Sequence, residues 1–176
     1  MQTFLPYPDF LKSAQVLDKK RCWKQVVEAK QIINILEVLD IMPLEYPLIA
    51  KKTSWSNHPA VKMWVGHLPE LKFYFNAVLI SSIYNHKINT KYEPYLKTIE
   101  FHPRVAIQDS INLEMPWWFG NKDFHRAMRA CLIEKNREFY LPLFPEDEGF
   151  NNGKYLWPDM ETKTFKIIDS KEKNKK

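Results

Sequence analysis

Arg21, Lys24, Gln25 and Glu28 are the first residues whose types and spacing suggest chemistry. Offsets of three and four place their side chains on one side of a helix. Two cations, an amide and a carboxylate together can hold phosphate and offer an acid-base group, and they read equally as an ordinary solvated face. A second group comes after Pro116. Trp117-Trp118-Phe119-Gly120 precedes a stretch carrying His125, Arg126, Arg129 and Lys135. Arg126 and Arg129 are an i, i+3 pair suited to phosphates. Adjacent tryptophans cannot both face one core from a helix, so in a loop one of them, such as Trp117, is free to stack on a base or wedge a duplex. Both can equally anchor a core beneath a coil. His58 opens a third group with Pro59 and Lys62. A histidine at a helix start either caps the helix or meets an anion.

Other chemistries lack their residues. The chain has four glycines and no phosphate-cradling loop, no His-Glu-x-x-His and no serine nucleophile elbow. His58 and His67 are nine residues apart, about 180° out of phase on a helix, so a shared metal site is not expected. Cys22 and Cys131 have no Cys or His at metal-ligand spacing and read as small buried residues, with a disulfide or a nucleophile as the alternatives. Neither metal nor cofactor is expected.

These groups need positioning elements. Pro6 and Pro8 keep Met1 to Pro8 extended, and Asp9 is placed to cap a helix. From Phe10 to Leu39 there is no Gly or Pro, and Leu17, Trp23, Val26, Val27, Ile33 and Leu36 give a helical stripe. One long helix is expected there, with a break near its start left open. Pro43 and Pro47 end it, and Lys51 to Asn57 reads as loop. Pro59 begins a second helix to about Asn85, with Val61, Trp64, Val65, Leu68, Leu71, Tyr74, Phe75, Val78 and Leu79 on its apolar side and Pro69 a kink or a division. Ile88 to Ile111 looks irregular. Asn121 caps a third helix, Lys122 to about Asn136, and the remainder through Trp157-Pro158 reads as coil wrapping the body. The fold class expected is all-α: one compact domain over residues 1–160, with about three main helices, an extended N-terminal arm, long irregular loops and a basic, disordered tail at 161–176.

The chain has 176 residues, 45% of them hydrophobic and 14% aromatic, enough for a core. Of the net charge of +5, the segment from Glu161 contributes +3 through six lysines against three acids, leaving +2 on the body. The pI of 9.1 is therefore a weak pointer to nucleic acid until the cations are shown to cluster. No apolar run reaches about 18 residues, and the first residues lack signal-peptide features, so an intracellular protein without a membrane span is expected.

The order of these residues resembles a known family. Met1-Gln2-Thr3-Phe4-Leu5-Pro6-Tyr7-Pro8-Asp9-Phe10, Val16-Leu17-Asp18 through Arg21, Lys24-Gln25, Glu28-Ala29 and His58-Pro59-Ala60-Val61-Lys62-Met63-Trp64 look like the cellular branch of the pyrimidine-dimer DNA glycosylase superfamily. Pro116-Trp117, Phe124-His125-Arg126, Leu132, Lys135, Tyr140, Pro142-Leu143-Phe144 and Tyr155-Leu156-Trp157-Pro158 agree. To the phage enzymes of the superfamily the likeness is remote. The resemblance implies a compact three-helix protein with its N-terminal arm threaded between helices. It also implies a chain-terminal α-amine that attacks C1′ of a damaged nucleotide, forms a Schiff base and cuts the backbone by β-elimination. A glutamate on the first helix assists, and basic residues on the first and third helices hold a kinked duplex with one base flipped out. An α-amine ordinarily titrates at about 7.7–8.0, so part of it is a neutral nucleophile near neutrality.

Two positions depart from that pattern. Gln2 is bulky, which disfavours removal of Met1 and leaves the nucleophile as the amine of Met1 or, after processing, of Gln2. Gln25 aligns with the family's glutamate, and an amide cannot ionise. Glu28, one turn on, either substitutes for it or is a structural carboxylate. Lys135 matches a phosphate-binding lysine, whereas Cys131 stands where the family has an arginine. The expected catalytic residues are thus Met1, Gln2, Gln25 and Glu28. The expected DNA contacts are Arg21, Lys24, His58, Lys62, Trp117, His125, Arg126, Arg129 and Lys135. The partner is double-stranded DNA bound by a monomer. Two alternatives stay open: a non-catalytic DNA-binding protein on this scaffold, and a small-substrate enzyme using His58, His67, His125 and Glu28 in a pocket between helices.

Overall fold

A computed structural model describes residues 1–41, 55–95 and 114–167. The ends expected at Pro43 and Pro47, most of the Lys51 loop, the stretch around Pro103 and the final lysines lie outside those residues.

The first helical region is two helices, not one. Asp9 caps α1 (Phe10–Gln15) by accepting the Lys12 N–H at 2.7 Å. The chain then breaks at Val16–Asp18, and Asp18 starts α2 (Lys19–Ile41) by accepting the Arg21 N–H at 3.0 Å. Asp18 thus supplies the carboxylate that a new helix start needs. α2 buries Cys22, Val26, Ala29, Ile32, Ile33 and Leu36.

The second region also divides. α3 is the short Pro59–Lys62, capped by His58. Gly66, at φ +78°, turns the chain, and α4 (Leu68–Tyr84) begins with Pro69 in its first turn. Val65, expected in the apolar stripe, lies in that turn and is exposed. α4 packs against α1 and α2 and is buried on nearly all sides from Leu71 to Leu79. α5 (Lys122–Lys135) starts at Asn121, whose side chain accepts the Phe124 N–H at 3.1 Å. α6 (Arg137–Tyr140) and two 3-10 turns, Pro145–Asp147 and Phe150–Gly153, come next.

The all-α expectation needs one correction. Leu156–Asp159 (β1) and Thr164–Ile167 (β2) form an antiparallel hairpin with Trp157 opposite Lys166. The end of what reads as wrapping coil is β1, and β2 lies beyond residue 160. Trp157 is buried in the core cluster, and Phe165 packs on Trp117 at 4.9 Å between ring centres. No described helix is long and apolar enough to cross a membrane.

The N-terminal arm is the unusual part. Gln2, Thr3, Phe4 and Leu5 are buried although they form no strand. Burying Phe4 and Leu5 stabilises by about 1.5–3 kcal/mol each. The arm's buried backbone needs hydrogen bonds that no sheet supplies, and side chains from other elements provide them. Gln25 of α2 accepts the Phe4 N–H at 2.7 Å, and Tyr74 of α4 donates to the Phe4 carbonyl at 3.0 Å. His125 of α5 meets the Leu5 carbonyl at 2.7 Å, and Arg129 donates to the Pro6 carbonyl at 2.8 Å. The arm therefore sits among α2, α4 and α5 in a fixed register.

Candidate active site at the N-terminal arm

The arm delivers its first residues to Glu28. The Met1 α-amine lies 3.6 Å from one Glu28 oxygen, and the Gln2 N–H donates to the other at 3.3 Å. The Met1 side chain is 5% exposed, yet the residue as a whole is half-buried, so its accessible surface lies on the main chain, where the amine is. Glu28 is buried. Its two oxygens face two successive backbone nitrogens, so an α-amine on Met1 or on Gln2 meets the same carboxylate.

Gln25 has a different use from the one its alignment suggests. Its carbonyl oxygen accepts from the Phe4 N–H and from the Tyr74 hydroxyl, each at 2.7 Å. Its amide nitrogen donates to Glu28 at 3.1 Å. A carboxylate could accept the first two bonds but could not donate the third. Gln25 ties the arm to α2 and orients Glu28, and Glu28 is the carboxylate that stands beside the amine. Burial, with Cys22 and Glu28 adding to it, raises the Tyr74 phenol well above its ordinary value, so Tyr74 donates throughout the physiological range.

Lys24 also reaches Glu28, at 3.6 Å from the oxygen that faces the amine, while its side chain is 63% exposed. Gln2 extends its amide toward the Met128 sulfur at 3.2 Å. Thr3 accepts from the Trp64 indole at 3.1 Å. Tyr155 packs on Phe4 with ring centres 6.1 Å apart, and its phenol is pushed up by burial, helped by Cys131 and Glu28.

The remaining expected DNA contacts divide into two sets. His125 is buried, with its Nδ1 at the Leu5 carbonyl and its Nε2 accepting the Gly120 N–H at 3.0 Å. Burial lowers its pKa, which keeps it neutral, and both ring nitrogens are engaged with backbone. Arg126 and Arg129 both grip the fully buried Asp147, at 3.0 and 2.5 Å. Arg129 is largely buried, whereas Arg126 keeps 40% of its side chain exposed over the Phe150 ring. Arg21 pairs with Asp18 at 2.7 Å and donates to the Lys135 carbonyl. Trp117 is half-buried against Phe165, with no partner for its indole N–H among the described residues, whereas Trp118 is fully buried and donates to the Met63 carbonyl. His58 caps α3 through the Ala60 N–H at 3.1 Å, between Trp55 and Trp157. Lys24, Lys62 and Lys135 are exposed cations.

Asp147, Tyr74 and Tyr155 were missed in the sequence. Tyr74 sits in an apolar run that reads as core, and Tyr155 in an aromatic one. For Asp147 a signal existed, since two arginines at i, i+3 invite a shared carboxylate. Cys22 and Cys131 are free and buried, and burial pushes the Cys131 thiol up to about 12. Among the described residues no cluster of metal-binding side chains occurs.

No curated protein and no solved structure matches the chain. Residues 1–81, which carry the arm, Gln25, Glu28, α3 and most of α4, match the family model described as pyrimidine dimer DNA glycosylase, so this part of the chain is similar to that family.

Proposed function

We propose that the chain is a repair-type DNA glycosylase, with AP-lyase activity, that acts on damaged or modified bases in duplex DNA through its N-terminal α-amine. The observation that carries this reading is the contact between that amine and buried Glu28, 3.6 Å apart, in an arm whose register four side chains hold.

In this reading the neutral amine adds to C1′ and the base departs with the bonding electrons. Glu28 stabilises the cationic sugar as it forms and moves protons between the amine and the opened ring. The imine that results acidifies the C2′ proton. Its removal expels the 3′-phosphate by β-elimination. Gln25 keeps both Glu28 and Phe4 in place, so the amine stays aligned with the carboxylate. The substrate supplies the electrophile and no cofactor enters. Exposed Lys24, Lys62 and Lys135 and the exposed part of Arg126 supply phosphate attraction.

The test is incision of an abasic-site duplex by the protein and by Glu28→Gln. The expected result is incision by the parent and a loss of about 10²–10⁴-fold in the variant, the usual worth of a positioned acid-base group. Duplex binding without incision by the parent would support the non-catalytic alternative, and an unaffected Glu28→Gln would remove Glu28 from the chemistry.

A further inference from the structure

Glu28 holds two amines, not one. The Met1 α-amine and the Lys24 ε-amine approach the same carboxylate oxygen, Oε1, each at 3.6 Å. Twice that distance bounds their separation, so the two nitrogens lie no more than about 7 Å apart. One carboxylate neutralises one ammonium, which leaves the site with two amines for a single counter-charge. The two differ in freedom. The α-amine is fixed by the arm, whose next residues are hydrogen-bonded to α2, α4 and α5. Lys24 is 63% exposed on a four-carbon stem, and its partner lies at i+4 with lysine first, the weaker order for such a pair on a helix. Among the described residues its nitrogen can leave Glu28 without breaking another contact.

We infer that Lys24 is a second covalent nucleophile of this site, which takes an abasic sugar when the α-amine is blocked or already occupied. The inference rests on the proposed glycosylase reading and concerns its lyase half. The neutral Lys24 nitrogen adds its electron pair to the C1′ aldehyde of a ring-opened abasic sugar. Glu28, which has taken the proton that the Lys24 ammonium gave up, returns it to the carbinolamine hydroxyl, which leaves as water and gives a protonated imine. Glu28 then removes a C2′ proton, the C2′–H electrons form the new double bond, and the C3′–O bond breaks with its electrons leaving on the 3′-phosphate. Hydrolysis frees Lys24. The balance needs no oxidant or reductant. Phosphate attraction alone, the role the sequence suggested for Lys24, would be served equally well by arginine, whereas an arginine forms no such imine.

The experiment caps the α-amine with 2-pyridinecarboxaldehyde, which spares lysines, and traps the protein on an abasic-site duplex with sodium cyanoborohydride. The trapped peptides of capped and uncapped protein are mapped by mass spectrometry, with Lys24→Arg alongside. The expected results are an adduct on Lys24 in the capped protein, a minor Lys24 adduct beside the N-terminal one in the uncapped protein, and at least a tenfold loss of capped-protein trapping in Lys24→Arg. An N-terminal adduct in uncapped protein with no Lys24 adduct in either sample overturns this inference and leaves the glycosylase reading standing. No adduct anywhere overturns both.

Discussion

Replacing Gln25 by glutamate puts there the residue that the sequence resemblance implies, and the contacts of Gln25 predict that it harms the protein. The new side chain keeps an oxygen for the Phe4 N–H and the Tyr74 hydroxyl. Its other oxygen takes the place of an amide nitrogen that lies 3.1 Å from Glu28. With charge centres roughly 5 Å apart and an effective dielectric near 20, the repulsion between the two carboxylates is at most about 3 kcal/mol, because the Met1 and Lys24 ammonium groups beside Glu28 offset part of it. The cost is absent where one carboxyl keeps its proton and donates as the amide did, and it grows as rising pH ionises both. About 1 kcal/mol moves the melting point of a chain this size by about 2–4 °C. The Tm of Gln25→Glu should thus lie within about 2 °C of the parent at pH 4.5 and up to about 12 °C below it at pH 7.5. A gap that is the same at both pH values, or that opens toward acid, would refute the reasoning.

The same contacts set other outcomes. Asp147→Asn should lower stability by about 3–5 kcal/mol in chemical denaturation, because two arginines lose a fully buried counter-charge; a loss below about 1 kcal/mol would show that Arg126 and Arg129 do not depend on it. Cys131, with its thiol raised to about 12 by burial, should resist a thiol reagent at pH 8 in the native protein and react on unfolding. Since its folded value exceeds the unfolded one of about 8.5, its contribution to stability is complete below that pH and declines as pH rises toward 12; a Cys131→Ala variant should lack that alkaline component in a Tm series. Duplex affinity should fall steeply with salt, and Lys62→Ala should reduce the slope of log K against log salt by about 1; an unchanged slope places Lys62 outside the interface.

What could be read in the sequence were the features with local causes. Asp9 and Asn121 mark helix starts through bonds made within three residues, and Pro59 through its fixed φ at the first helical position; all three do so in the structure. The break at Asp18 has the same cause, and it stays an open alternative in the sequence because a stretch free of Gly and Pro suggests continuity by periodicity alone. The hairpin was missed because Pro158 within Leu156–Asp159 argues against a strand. The candidate site needed more than local signals. Gln25 and Glu28 share a helix face, and only the register of the arm decides which of them meets the α-amine. His125 and Arg129 read as DNA contacts from their types, whereas both hold carbonyls of the arm more than a hundred residues away. A backbone without a sheet draws on whatever polar side chains the tertiary fold places around it, and no spacing rule foretells that.

The most direct test of the central claim is borohydride trapping of the unmodified protein on an abasic-site duplex, with the cross-linked peptide sequenced. The expected result is a reduced adduct whose main site is the first residue of the chain and which is lost in Glu28→Gln. An adduct confined to side chains remote from Glu28, or tight duplex binding with no adduct, would contradict it.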